Sequence, residues 1–234
     1  MRLSPDTIIF WQWGPVSLNA TIVFTWLVMG LLVFASWLAT RHLTADTRLS
    51  RWQSFLEALV TYMRDQIRDI SRQEPGQYLP FVGSLFLFIA LSNLLIIIPG
   101  YEPPTGSLST TAALAICVLL SVPFYGIVQN GFAAYFRHYT KPSILMLPFH
   151  IIGEFTRTLS LAVRLYGNIM SGSVIIAILL SIAPLFFPII MEVLGLLTGL
   201  IQAYIFAILA MVYIASASSQ EEEEVGPKTG KGEM

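Results

Sequence analysis

Charge is scarce in this sequence. Lys and Arg number 13 and Asp and Glu 14 among 234 residues, or 12% charged, where a soluble domain carries about 25%. With a mean hydropathy of +0.70, that deficit excludes a soluble globular protein, and the net charge of −1 offers no basic surface for nucleic acid. Only one cysteine is present, Cys117, which excludes an intrachain disulfide and, inside an apolar run, reads as a small packing residue. There is no G-x-x-x-x-G-K-[ST] phosphate loop and no H-E-x-x-H metal motif, so the sequence suggests no nucleotide chemistry and no cofactor. A basic N-terminal region followed by a short apolar segment and a cleavage site is also missing, so the first hydrophobic run is expected to be retained. No repeat with a period of 20 to 50 residues is visible, and nothing marks a second domain.

What the chain has is long uncharged runs. Residues 20–40 carry no charge and are long enough to cross a hydrocarbon core of about 30 Å at about 1.5 Å per residue. Residues 79–99 and 109–131 form two more spans, the latter with a kink expected at Pro123. Residues 145–182 and 189–217 are each too long for a perpendicular crossing and must tilt, bend or protrude. Between the first two spans, residues 45–74 place Trp52, Phe55, Leu59, Tyr62 and Met63 at helical spacing with Arg64 and Arg68 on an adjoining face, the pattern of an amphipathic helix on a membrane surface. The predicted fold is an all-α polytopic membrane protein, a single membrane domain over 1–234. It has five membrane-crossing helices, the last two long and tilted, plus an amphipathic interfacial helix. Residues 1–19, with Trp11 and Trp13, read as an interfacial N-terminus. Residues 218–234, with the Glu221–Glu224 run, read as a disordered acidic tail.

Loop charge sets the expected orientation. The connections 41–76 and 132–143 contain eight Lys or Arg, and the segments 100–108 and 183–188 contain none. The basic connections are therefore predicted on the cytoplasmic side, with the N-terminus outside and the acidic tail inside.

One stretch breaks the apolar pattern. In HIIGEFTRTLSLAVRLYGNIMSGS, His150, Glu154, Arg157, Leu161, Arg164, Asn168 and Ser171 recur at steps of four and three, forming one stripe along a helix. An Arg near the bilayer centre costs about 2.5 to 3.5 kcal/mol even on lenient insertion scales, so the stripe must face protein or a water-filled cavity. Arg164 cannot lose its proton, so it can attract a carboxylate but cannot relay a proton. The alternative is an arginine paired with Glu154 or Glu192 only to hold helices together. Glu154 and Arg157 could form a purely structural pair, His150 could be an interfacial cap, and Asn93 reads as an interhelical hydrogen-bonding residue. Glu192, Gly195, Gly199 and Gln202 share one face of the last helix, which can be turned toward the stripe or toward a partner. His150 and Glu154 at i, i+4 also leave open a metal-dependent intramembrane hydrolase, and a secondary ion transporter is a third reading.

SLAVRLYGNIMSG followed by GLIQAYIFAILAMVYI resembles the two long C-terminal helices of subunit a of rotary F-type ATP synthases. The amphipathic segment and PTGSLSTTAALAI are also similar to that family, so the resemblance covers nearly the whole chain. It implies a non-catalytic, ion-conducting stator subunit in a cell membrane, of the bacterial inner-membrane kind. Its partners would be the c-subunit ring, the peripheral-stalk b subunits, the remaining synthase subunits and membrane lipid. By resemblance, Arg164 is the essential stator arginine, Asn168 its polar neighbour one turn on, and Gln202 the partner facing it from the last helix. Two half-channels would deliver protons or sodium ions to the ring. Some family positions are replaced: Ser173 and Gly195 stand where ionisable groups are common, and His150 where an acid is common. Glu154 and Glu192 are the candidates to take over those roles, with Arg157 and Ser171 beside them on the stripe.

Overall fold

The computed structural model describes residues 9–13, 16–41, 51–72, 74–98, 100–132, 147–182 and 187–218. The basic connection near Arg137 and Lys141, the turn at 183–186 and the acidic tail from 219 onward lie outside the described residues.

The first departure from the sequence reading is at the N-terminus. Strands β1 (Ile9–Trp13) and β2 (Val16–Asn19) pair antiparallel, with Ile9 opposite Asn19 and Trp13 opposite Val16. The aromatic and β-branched residues of the two segments suit paired strands. An interfacial tryptophan reading did not register that pairing.

Among the described residues six helices follow: α1 (Ala20–Arg41), α2 (Arg51–Ser71), α3 (Leu79–Leu94), α4 (Leu108–Asn130), α5 (Leu147–Ile182) and α6 (Phe187–Ser218). Five of them, all but α2, are long and apolar enough to cross a membrane. α5 has 36 residues and α6 has 32, so at about 1.5 Å per residue they extend roughly 54 and 48 Å. Both exceed a hydrocarbon core of about 30 Å, and each must incline or project beyond it. α2 ends earlier than residue 74, at Ser71, because Arg72 takes a left-handed backbone with φ 54°. α3 gives way at Leu95–Ile97 to a 3-10 turn, so the second span tapers before Pro99.

α6 is the centre of the bundle and packs against α2, α3, α4 and α5. Ala203, Phe206, Ala207, Ala210, Met211 and Ile214 are all fully buried, at three-and-one spacing along one broad face. Alanines at these positions bring neighbouring backbones close, and dispersion contacts then hold helices together in a solvent as apolar as the side chains. One cluster joins Val28 of α1, Leu85 and Ile89 of α3, Val118 of α4, Leu165 of α5 and Phe206 of α6. A second, toward the other end of α6, joins Met63 and Ile67 of α2 to Tyr78, Val122 and Met211. α2 therefore docks through Met63 and Ile67, whereas Tyr62, expected on its apolar face, is 51% exposed.

The connection between α3 and α4 folds into the bundle. Pro104, Thr105, Gly106 and Ser107 are buried, and the 3-10 turn Pro104–Gly106 packs on α1, α4 and α5. Backbone bonds from Gly106 N to Pro103 O (2.9 Å) and Ser107 N to Pro104 O (3.1 Å) satisfy amides that burial would otherwise strand.

Candidate functional site

The stripe on α5 lies along the edge of that helix's packed face. Leu161, Ala162, Leu165 and Ile169 are buried, Glu154 and Asn168 are half-buried, and His150, Arg157, Arg164 and Ser171 are exposed. A four-three repeat drifts by about 20° per heptad on a straight helix. The two i, i+7 rows of the stripe drift together, and the one through His150, Arg157, Arg164 and Ser171 lies on the exposed side while the one through Glu154, Leu161 and Asn168 lies toward the bundle.

Arg164 makes no ion pair or hydrogen bond among the described residues. Among the described residues it is paired with neither Glu154 nor Glu192. The exposed surface of its own helix is apolar at Val163, Leu159 and Phe155, and on α6 Leu194, Leu197 and Ile201 are also at least half exposed. Gln202 is only 8% exposed, and no hydrogen bond joins it to Arg164.

One turn beyond the arginine the two long helices part. A cavity of about 340 Å³ opens between them and the α3–α4 connection, lined by Tyr101, Glu102, Asn168, Ser173, Glu192 and Gly195 among others. Three residues singled out from the sequence, Asn168, Ser173 and Glu192, are brought together here. Ser173 donates its hydroxyl to Ile169 O at 3.0 Å, leaving its lone pairs for the cavity. Ser171 instead donates to Asn168 O at 3.1 Å and does not line this space. Burial pushes the Tyr101 phenol well above its ordinary value, an effect the Ser92 side chain offsets in part, so this wall of the cavity stays neutral at Tyr101. Glu102 was not singled out from the sequence. Its signal was an acid within a proline-rich turn, and only the burial of that turn shows where it belongs.

At the other end of α5, Arg157 pairs with Glu154 at 3.5 Å and its guanidinium lies over the Tyr213 ring, 5.6 Å from the centroid. The side chains are 51% and 22% exposed. His150 is exposed one turn before Glu154. Gly195 and Gly199 divide the face they share with Glu192 and Gln202: Gly195 lines the cavity, and Gly199 is buried against Asn93. Glu192 is exposed and joins Gly195 at the cavity, whereas Gly199 and Gln202 are buried in the bundle. Asn93 is hydrogen-bonded across helices, as its residue type suggested.

Known proteins bear on this geometry. Residues 22–215 match the family model described as ATP synthase A chain. The chain is 63% identical over 222 residues to "ATP synthase subunit a 2" of Acaryochloris marina, covering 95% of each chain. It is 58% identical over 226 residues to "ATP synthase subunit a 1" of Crocosphaera subtropica, covering 97% of this chain and 98% of the relative. It is also 57% identical over 227 residues to "ATP synthase subunit a" of Albidiferax ferrireducens, with the same coverage.

Proposed function

The chain belongs to the ATP synthase A chain family, and from that premise we propose that it is the ion-translocating stator subunit of a rotary F-type ATP synthase. The observation that carries the reading is Arg164, a permanent charge exposed on a membrane-crossing helix with no ion pair or hydrogen bond from the described residues. Such a charge needs a protein or aqueous partner. A ring of c subunits, each bringing a carboxylate past this face, meets that need.

The cavity lined by Asn168, Ser173 and Glu192 is the outer half-channel, and the surface near His150, Glu154 and Arg157 is the inner one. Arg164 stands between them. Its fixed charge stabilises the ion-free rotor carboxylate at the interface and repels a cation that would otherwise pass straight from one channel to the other. Each unit charge crossing the membrane supplies about 2.3 kcal/mol per 100 mV, which rotation passes to a remote catalytic head. Gln202 acts from the packed side of α6, where its carboxamide is a polar group close to the meeting of the long helices. The subunit is non-catalytic by itself, in keeping with a sequence that holds no phosphate loop. It sits in a bacterial inner membrane with the N-terminus outside, and it meets the b subunits of the peripheral stalk as well as the ring. The hydrolase and transporter alternatives are not favoured by the family match.

The test is ion-gradient-driven ATP synthesis by the reconstituted complex carrying Arg164→Ala, together with passive ion leak after removal of the catalytic head. Loss of synthesis with raised leak is expected. Unchanged synthesis would remove Arg164 from the mechanism.

A further inference from the structure

Glu102 has the features of a functional carboxylate rather than a solubilising one. It is only partly exposed and it makes no ion pair or hydrogen bond among the described residues. Its backbone is not on a free loop. Tyr101 before it packs edge-to-face on Phe24 with ring centroids 5.0 Å apart. Two residues after it begins the buried turn Pro104–Gly106, where the Thr105 hydroxyl donates to Asn93 Oδ1 at 3.3 Å. Ordered backbone on both sides fixes the carboxylate on the cavity wall.

Among the described residues the charge in that cavity has one sign. Glu102 comes from the α3–α4 connection and Glu192 from α6, and no described Lys, Arg or His lines the space with them. Two carboxylates facing a concave, low-dielectric wall focus a negative potential into it, which raises the local concentration of cations and depletes anions. Asn168 and Ser173 add neutral oxygen groups that can hydrate or pass on a cation without trapping it as a third charge would.

We propose that Glu102 is the cation-collecting carboxylate at the mouth of the outer half-channel, drawing the coupling ion from outside water and handing it to Glu192. The proposal rests on the reading of this cavity as that half-channel. It assigns to a loop acid the charge selectivity of the entrance, and to Glu192 the onward transfer toward Asn168 and the rotor.

The experiment uses the reconstituted whole complex with Cys117→Ala, since Cys117 is an exposed free thiol, and Ser173→Cys as a reporter inside the cavity. Methanethiosulfonate reagents of opposite charge, ethylammonium and ethylsulfonate, are added from outside and their rates compared. The cationic reagent should react faster, and Glu102→Gln should lower the cation-to-anion rate ratio by about three- to fivefold, the effect of removing one charge at short range in a partly screened site. Glu102→Asp should keep the ratio. A ratio unchanged by Glu102→Gln overturns the role of Glu102 and leaves the half-channel standing. Failure of both reagents to reach Ser173→Cys shows that the cavity is dry and overturns the half-channel reading as well. In Glu102→Cys, ethylsulfonate puts the negative charge back and should restore ion-driven ATP synthesis where ethylammonium does not. Equal effects of the two reagents there also overturn the proposal, even if Glu102→Gln fails to assemble.

Discussion

The Asn93 side-chain amide donates to the backbone carbonyl of Gly199 at 2.8 Å, and a Cβ on Gly199 would fall 3.0 Å from that same amide nitrogen. The contact joins α3 to the central helix, and Thr105 completes the arrangement by donating to Asn93 Oδ1. A hydrogen bond to a helix carbonyl and the absence of a side chain at the acceptor residue are one feature here. The amide reaches the carbonyl only because nothing projects from Cα.

Gly199→Ala should therefore destabilise the assembled subunit by about 1 to 3 kcal/mol, the usual cost of overpacking a tight contact. Asn93→Ala should cost about 0.6 to 2 kcal/mol through the lost interhelical hydrogen bond. The double variant should be less destabilised than the sum, since removing the amide makes room for the new methyl. Thermal unfolding of the detergent-solubilised complex measures all three, and strict additivity would separate the two residues.

The fold was largely legible in the sequence because its driving term is length of uncharged chain. Five runs long enough for a bilayer and one amphipathic segment need no tertiary information. The β1–β2 hairpin was missed because Trp11 and Trp13 carry an interfacial signal and a strand signal at once. The burial of Pro104 to Ser107 was not legible because it depends on Asn93, a partner brought in from another helix. At the site, the four-three spacing identified the α5 stripe but not its division. Which residues are covered depends on which face of α5 packs on α4 and α6. Glu102 was invisible for the same reason as the buried turn that carries it.

α2 is tied to the central helix by polar contacts as well as by Met63 and Ile67. The Tyr204 hydroxyl donates to Gln66 Oε1 at 2.9 Å and lies 3.4 Å from the Tyr62 hydroxyl. Tyr204→Phe removes the donor and should weaken docking by about 0.5 to 1.5 kcal/mol. Amide hydrogen exchange in α2 should accelerate by roughly two- to tenfold while α4 stays unchanged. Equal protection in the variant would mean that α2 is held by its apolar face alone.

Glu154 and Glu192 should separate stability from transport. The Glu154–Arg157 pair has one partner half exposed, a setting in which ion pairs contribute about 0 to 1 kcal/mol. Glu154→Gln should thus assemble normally and yet slow ion-driven ATP synthesis, and Glu192→Gln should do the same from the opposite half-channel. Full transport rates in both variants would reduce them to structural groups.

The two arginines of the stripe should respond differently to lysine. Arg157 is half exposed, paired with Glu154 and stacked over Tyr213, and a lysine can keep both the charge pair and part of the ring contact, so Arg157→Lys should be tolerated. Arg164 lies seven residues further, about 10.5 Å along the helix, on an apolar surface where docking of the ring removes water. Lysine desolvated there is driven to give up its proton, whereas the guanidinium stays charged and presents a planar fork to a carboxylate. Arg164→Lys should therefore lose ATP synthesis despite its nominally conserved charge. Synthesis and headless-complex leak measured side by side decide the matter. Wild-type rates in Arg164→Lys would show that a permanent charge is unnecessary, and loss confined to Arg157→Lys would transfer the central role to the other arginine.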